Sequence, residues 1–361
     1  MSKYYAMLLV AFWFLYLVTA HDAHQQVSFG LKDQVETSES VLREHDQIDI
    51  NMAHEKTFKG GDTLAYVTPW NNRGYDIVKE FKGKFDFVSP VWYYIEPSGY
   101  KVIGEHDVDE NWVKEVGGEH GGKVVPRFQF RNWEIQHYQF FVTNAMEEVP
   151  KVVEKIMEQV SKYDFDGIVL ECGYPSFFPV FIQQLSMVLH EDDKQFILVL
   201  PPIRSEEQKK YLSAEIFAGL AKLIDRFSIM TYDYSSHLPS GGPSSPIDWV
   251  IDNIEALTND ENRHQLLIGL NMYAMSYHEM TMPQPMLLKD VVGKFEDWIE
   301  DEPFGWDKEA EEHSVRDMDG STIWLPTVKS LRNRIHLAED YGVGLSLWEV
   351  GQGLDYFYNL F

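Results

Sequence analysis

Short runs of β-branched and aromatic residues recur along the chain, at 64–68, 85–95, 123–128, 167–171, 196–200, 227–232, 266–271 and 343–348. Each is nearly continuous in apolar character, the mark of strands buried on both faces rather than half-solvated ones. Segments with the helical period fall between most of them. In 146–163, Val149, Val152, Val153, Ile156 and Val160 share one face while Glu and Lys occupy the other. The stretches 179–190, 206–224, 247–257 and 328–341 repeat that pattern. Strand and helix in alternation, with eight apolar runs, predict an α/β fold closed as a (β/α)8 TIM barrel. An open doubly wound sheet is the competitor, but no run is followed by a Gly-x-Gly-x-x-Gly turn. Positions 280–325 are charged and weakly periodic, and read as a small insertion before the last strand.

The start of the chain follows a different pattern. Lys3 precedes an almost unbroken apolar stretch at 4–18, and Val18 and Ala20 are the small residues that a signal peptidase requires. The stretch is about five residues short of a membrane span. The expected organisation is a signal peptide at 1–20, a polar N-terminal extension with one short helix at 21–60, and the barrel at 61–361. A cleaved leader and no second apolar run of that length predict a secreted protein without a membrane span.

Composition then removes several partners. The chain has 57 acidic against 31 basic residues, a formal charge of −26, and no Lys/Arg stripe to offset it locally. Such a field repels phosphate backbones, which argues against nucleic acid and anionic membranes. A single cysteine, Cys172, rules out a disulfide scaffold and a cysteine-ligated zinc site. His54-Glu55, His190-Glu191 and His278-Glu279 each lack a second histidine at helical spacing, so neither a metal nor another cofactor is expected.

A TIM barrel works at the carboxyl ends of its strands. Those ends carry Trp70 after the first strand, Trp92 and Tyr93 in the second, Arg127 in the third and Glu171 in the fourth. Met230, Tyr232 and Asp233 end the sixth, Tyr273 the seventh, and Trp348 with Glu349 the eighth. Aromatic rings that stack on sugar C–H faces, beside carboxylates that bond hydroxyls, predict a carbohydrate groove. Core packing is the alternative for each tryptophan alone.

The run Phe165-Asp166-Gly167-Ile168-Val169-Leu170-Glu171-Cys172-Gly173-Tyr174-Pro175 resembles the fourth strand of glycoside hydrolase family 18, whose pattern is Phe-Asp-Gly-x-Asp-x-Asp-x-Glu-Tyr-Pro. Met230-Thr231-Tyr232-Asp233 is similar to that family's sixth-strand motif, and Trp348 stands where its eighth-strand tryptophan floors the sugar subsite. The resemblance spans 63–361. Tyr66 to Asn71, Ser89 to Trp92, Val125 to Arg127 and Leu347 to Tyr356 look more narrowly like a chitinase-like, saccharide-binding branch that is secreted and lysosomal. The resemblance implies chitooligosaccharide or N-acetylglucosamine-type glycans as ligands, with Tyr232 and Asp233 holding the sugar.

Active members of that family protonate the leaving oxygen with one glutamic acid, while the N-acetyl carbonyl of the substrate attacks. Their acidic residues repeat every second position because alternate side chains of a strand point into the same mouth. Here Val169 replaces the second aspartate, Glu171 the third, and Gly173 stands at the acid; Asp166 alone is kept. Losing a general acid removes on the order of 10² to 10⁴ in rate. A non-hydrolytic saccharide binder with no catalytic residue is therefore expected. Three alternatives stay open: Glu171 serving as the acid from one pleat lower, about 6–7 Å away; Glu171 ion-paired to Arg127; and a secreted scaffold that engages a protein receptor.

Overall fold

The computed structural model describes residues 35–278, 281–298 and 304–361, so the expected leader at 1–20 and positions 21–34 lie outside the described residues. The strands are β1 (Thr63–Val67), β2 (Phe87–Pro90), β3 (Tyr93–Ile95), β4 (Val102–Ile103), β5 (Lys123–Val124), β6 (Arg127–Phe130), β7 (Gly167–Glu171) and β8 (Gln195–Leu200). They continue with β9 (Arg226–Ile229), β10 (Leu266–Asn271), β11 (Ala274–Tyr277), β12 (Gln284–Met286), β13 (Gly305–Asp307), β14 (Glu312–Arg316), β15 (Thr322–Leu325) and β16 (Gly344–Trp348). The α-helices are α1 (Ser38–Glu44), α2 (Asn72–Glu80), α3 (Glu110–Val116), α4 (Ile135–Thr143), α5 (Ala145–Tyr163), α6 (Pro179–Glu191), α7 (Ala214–Leu220), α8 (Ile247–Leu257), α9 (Leu288–Phe295) and α10 (Val328–Tyr341).

Two strands of the barrel are broken, and the breaks are where it closes. β2 and β3 are halves of one strand, separated by Val91-Trp92, and β5 and β6 are halves of another, separated by Val125-Pro126. Proline has no N–H to give to a ladder, so Pro126 interrupts the pairing locally. β2 pairs with β5 through Val88 and Val124, and β3 with β6 through Tyr93 and Phe128, both parallel. The parallel order then runs β6, β7, β8, β9, β10, β16, β1 and back to β2. The expected TIM barrel is observed.

Alternation along each strand divides the core in two. Leu64, Tyr66, Phe87, Val125, Val169, Ile197, Val199 and Leu267 fill the barrel interior. Their neighbours Phe128, Ile168, Leu170 and Leu198 point outward and pack with the helices. On α5, Val149, Val152, Val153, Ile156 and Val160 are all buried as the period predicts. Each such side chain contributes about 1.5–3 kcal/mol of burial.

One expectation needs correction. The helix expected at 206–224 is reduced to a 3-10 turn at Gln208–Lys210 and to α7, which starts only after Ser213 accepts from the Ile216 amide at 3.3 Å. The charged run at 206–210 offers no apolar face to extend it. The small insertion expected before the last strand is present. With 274–278 it forms a second, antiparallel sheet, in the order β12-β11-β15-β14-β13, together with α9. Its strands are three to five residues long, too short to impose a visible period. α1, capped reciprocally by Thr37 and Ser40, packs on α9, so the N-terminal extension supports the insertion. Among the described residues no helix is long and apolar enough to cross a membrane.

Candidate functional site

The barrel mouth is built from the last residues of the strands, and Trp348 at the end of β16 sits at its centre. Its ring meets Tyr66 edge-on at 5.1 Å, and the Arg127 guanidinium lies 5.5 Å from its centroid. Beneath it Tyr66 Oη donates to Ser228 Oγ at 3.0 Å, and Ser228 Oγ donates to Ser346 Oγ at 3.0 Å. Three buried hydroxyls are thus joined across the barrel, and burial holds the Tyr66 phenol neutral by raising its pKa.

Glu171 and Arg127 meet, the alternative left open for this pair. Arg127 Nη1 donates to Glu171 Oε2 at 2.8 Å, and Gln129 Nε2 donates to Glu171 Oε1 at 2.6 Å. Arg127 Nη2 also reaches Gln129 Oε1 at 3.2 Å, which completes a ring of three side chains. The period of two puts Arg127 and Gln129 on the same face of β6, beside Val169 and Glu171 of β7. Gln129 was not anticipated, although its spacing from Arg127 marks it as inward-facing.

Gly173 lies beyond the end of β7 with φ +75°, and a Cβ built there meets nothing within 4 Å. The chain leaves the strand in a left-handed turn that costs a side-chain-bearing residue about 1–2 kcal/mol. Asp166, the kept acidic residue, accepts from the Val124 amide at 2.7 Å and ties β5 to the start of β7. Buried Cys172 has its thiol pushed well above the usual range by desolvation, which leaves it inert.

On the opposite side, Tyr232 is buried against Gly269, where a Cβ would come within 2.7 Å of its ring. Only glycine leaves room for that ring. Asp233 follows in a left-handed conformation that aspartate tolerates, with φ +60°. Its Oδ1 accepts a short hydrogen bond from Tyr273 Oη. Burial raises the Asp233 carboxyl, and this hydroxyl and the Arg204 guanidinium counter the rise. Arg204 also donates to the carbonyls of Tyr232, Asp233 and Tyr234 at 3.1–3.3 Å, fixing the turn.

Trp70, Asp233, Tyr273 and Trp348 line a cavity of about 520 Å³ that opens between the mouth and the insertion. Trp70 is 64% exposed at the rim. β11 supplies Met275, and the insertion supplies Pro285, Met286, Leu287 and Asp290, none of them anticipated, because an insertion without a visible period gave no direction for its side chains.

Other expected site residues fall elsewhere. Trp92 is fully buried outside the barrel, donating to Tyr75 Oη at 2.7 Å and packed on Trp112 and Phe165, so its assignment to the mouth is corrected. Tyr93 stacks on Phe128 at 4.6 Å in the helix layer. Glu349 is also buried away from the groove; its Oε1 accepts from Asn71 at 2.9 Å and its Oε2 from the Gly351 amide at 2.9 Å. Desolvation raises it to about 7. Met230 packs with Trp348 against the interior cluster. Among the described residues no group of acidic, histidine or cysteine side chains is arranged to hold a metal ion.

Comparison with known proteins agrees with this fold. The family described as Glycosyl hydrolases family 18 matches residues 123–353, more than half of the chain. A chitinase from Chromobacterium violaceum superposes with a TM-score of 0.69 at 20% identity, over 83% of this chain and 98% of that one. The spore cortex-lytic enzyme SleL of Bacillus cereus gives 0.65 at 17%, over 83% and 73%. Ostrinia furnacalis Group IV chitinase gives 0.64 at 14%, over 83% and 98%. At these identities the likeness speaks for the fold.

Proposed function

The chain belongs to glycosyl hydrolase family 18, and from that membership we propose that it binds saccharides of the chitooligosaccharide or N-acetylglucosamine type without hydrolysing them. It resembles chitinase domain-containing protein 1 in the runs around Trp70, Trp92, Arg127 and Trp348. The observation that carries the reading is the clamp on Glu171. The one carboxylate of the fourth-strand motif that faces the mouth has both oxygens engaged by Arg127 and Gln129. A general acid must present a proton to the leaving oxygen at hydrogen-bond distance. Gly173 offers no group, and Glu171 would first have to abandon an ion pair whose arginine side chain is 7% exposed.

Binding needs less. Trp348 and Trp70 offer ring faces at the floor and rim, and Asp233 and Tyr273 offer hydrogen-bonding groups between them. Titration with chitooligosaccharides, followed by tryptophan fluorescence, is expected to saturate below millimolar ligand, and Trp348→Ala to weaken it at least tenfold. A flat titration up to millimolar ligand would refute saccharide binding.

A further inference from the structure

The cavity between the barrel mouth and the insertion has a one-sided charge. Asp233 enters it from the loop after β9 and Asp290 from the first turn of α9, with the rings of Trp70, Tyr273 and Trp348 around them. No lysine, arginine or histidine lines it among the described residues; Arg204, the cation that acts on Asp233, lies outside the lining on the carbonyls of the same turn and offsets part of the Asp233 charge, while Asp290 has no such neighbour in the lining. Arg127 lies 5.5 Å from the Trp348 ring, but its side chain is 7% exposed and its charge is met by Glu171 at 2.8 Å. An acid in a first helical turn is favoured by the helix dipole alone. The dipole does not explain the three rings, nor a second carboxylate from a separate element.

We propose that this groove selects glycans with free, protonated amino groups, such as the glucosamine units of deacetylated chitin-type oligosaccharides, over their fully N-acetylated counterparts. The proposal rests on the saccharide-binding reading and names the ligand class within it. An ammonium gains from the ring faces and from two carboxylates in a partly desolvated cavity, whereas an acetamide carries no charge for either to attract. The net charge of −26 adds a long-range field that concentrates cationic ligands near the surface. The charge of Glu171 is already met by Arg127 at 2.8 Å, so the unspent negative charge of the groove lies with the two aspartates.

The test is calorimetric titration of the full chain with the glucosamine tetramer and the N-acetylglucosamine tetramer, at mildly acidic pH and low salt. The glucosamine tetramer is expected to bind about tenfold tighter. The gap narrows as salt screens the carboxylates, and it closes when the pH is raised until the sugar amines are neutral. Asp290→Asn, at an exposed position that spares the fold, is expected to weaken the glucosamine tetramer about threefold and more than the acetylated one. Equal or tighter binding of the acetylated tetramer, a preference insensitive to salt, or equal weakening of both ligands by Asp290→Asn overturns the proposal. Binding of neither tetramer overturns instead the saccharide reading beneath it.

Discussion

Glu171 gives both of its oxygens to neighbours on β6, and the residues around it account for what the groove does. Glu171→Ala leaves the Arg127 guanidinium buried without a counter-charge, so urea unfolding is expected to show a loss of about 2–4 kcal/mol. A change within about 0.5 kcal/mol would mean that the pair is ornamental in the folded state. This pairing was legible in the sequence as one of the open alternatives, since Arg127 and Glu171 both lie at the carboxyl ends of neighbouring apolar runs. Trp92 and Tyr93 were not, because a break between β2 and β3 changes which face each residue meets. The left-handed backbone at Gly173 is also invisible in one sequence.

At the scale of elements, the eight apolar runs announced the barrel, yet the insertion that forms the other wall of the groove stayed hidden in short, charged strands. A buried ion pair joins that wall to the barrel. Glu312 of β14 meets Arg334 of α10 at 3.1 Å, with side-chain exposures of 7% and 4%. Its oxygens also accept from the amides of Ser244 and Ser245, in the Ser- and Pro-rich loop after β9, at 2.8 and 2.5 Å. The carboxylate thereby pins a loop whose Pro239 to Pro246 run is rich in glycine, serine and proline. Glu312→Ala strands a buried arginine and two amides, and is expected to lower stability by about 3–5 kcal/mol in chemical denaturation. Retention of wild-type stability would show that the insertion is held by its apolar contacts alone.

For the whole molecule, buried titratable groups set a pH dependence. Burial raises Glu36 and Glu349 to about 7 from an ordinary 4.5. The folded state then holds these protons more tightly than the unfolded chain, so their contribution is complete below pH 4.5 and is lost as the pH rises through 7. Buried His313, lowered to about 4 from 6.5, works in reverse and loses its contribution as the pH falls. Two carboxyls outweigh one imidazole, and a smaller net negative charge acts in the same direction. The unfolding free energy from urea titration is expected to be larger at about pH 5.5 than at about pH 8, by on the order of 1–2 kcal/mol; a larger value at the alkaline end contradicts this. The central claim, that this family 18 barrel holds saccharide without cutting it, meets its most direct test in a crystal soaked with the N-acetylglucosamine tetramer. An intact oligomer is expected to lie on Trp348 beside Asp233, with the Arg127–Glu171 pair unbroken. A cleaved oligomer with Glu171 turned toward the scissile oxygen, or an empty groove, would contradict it.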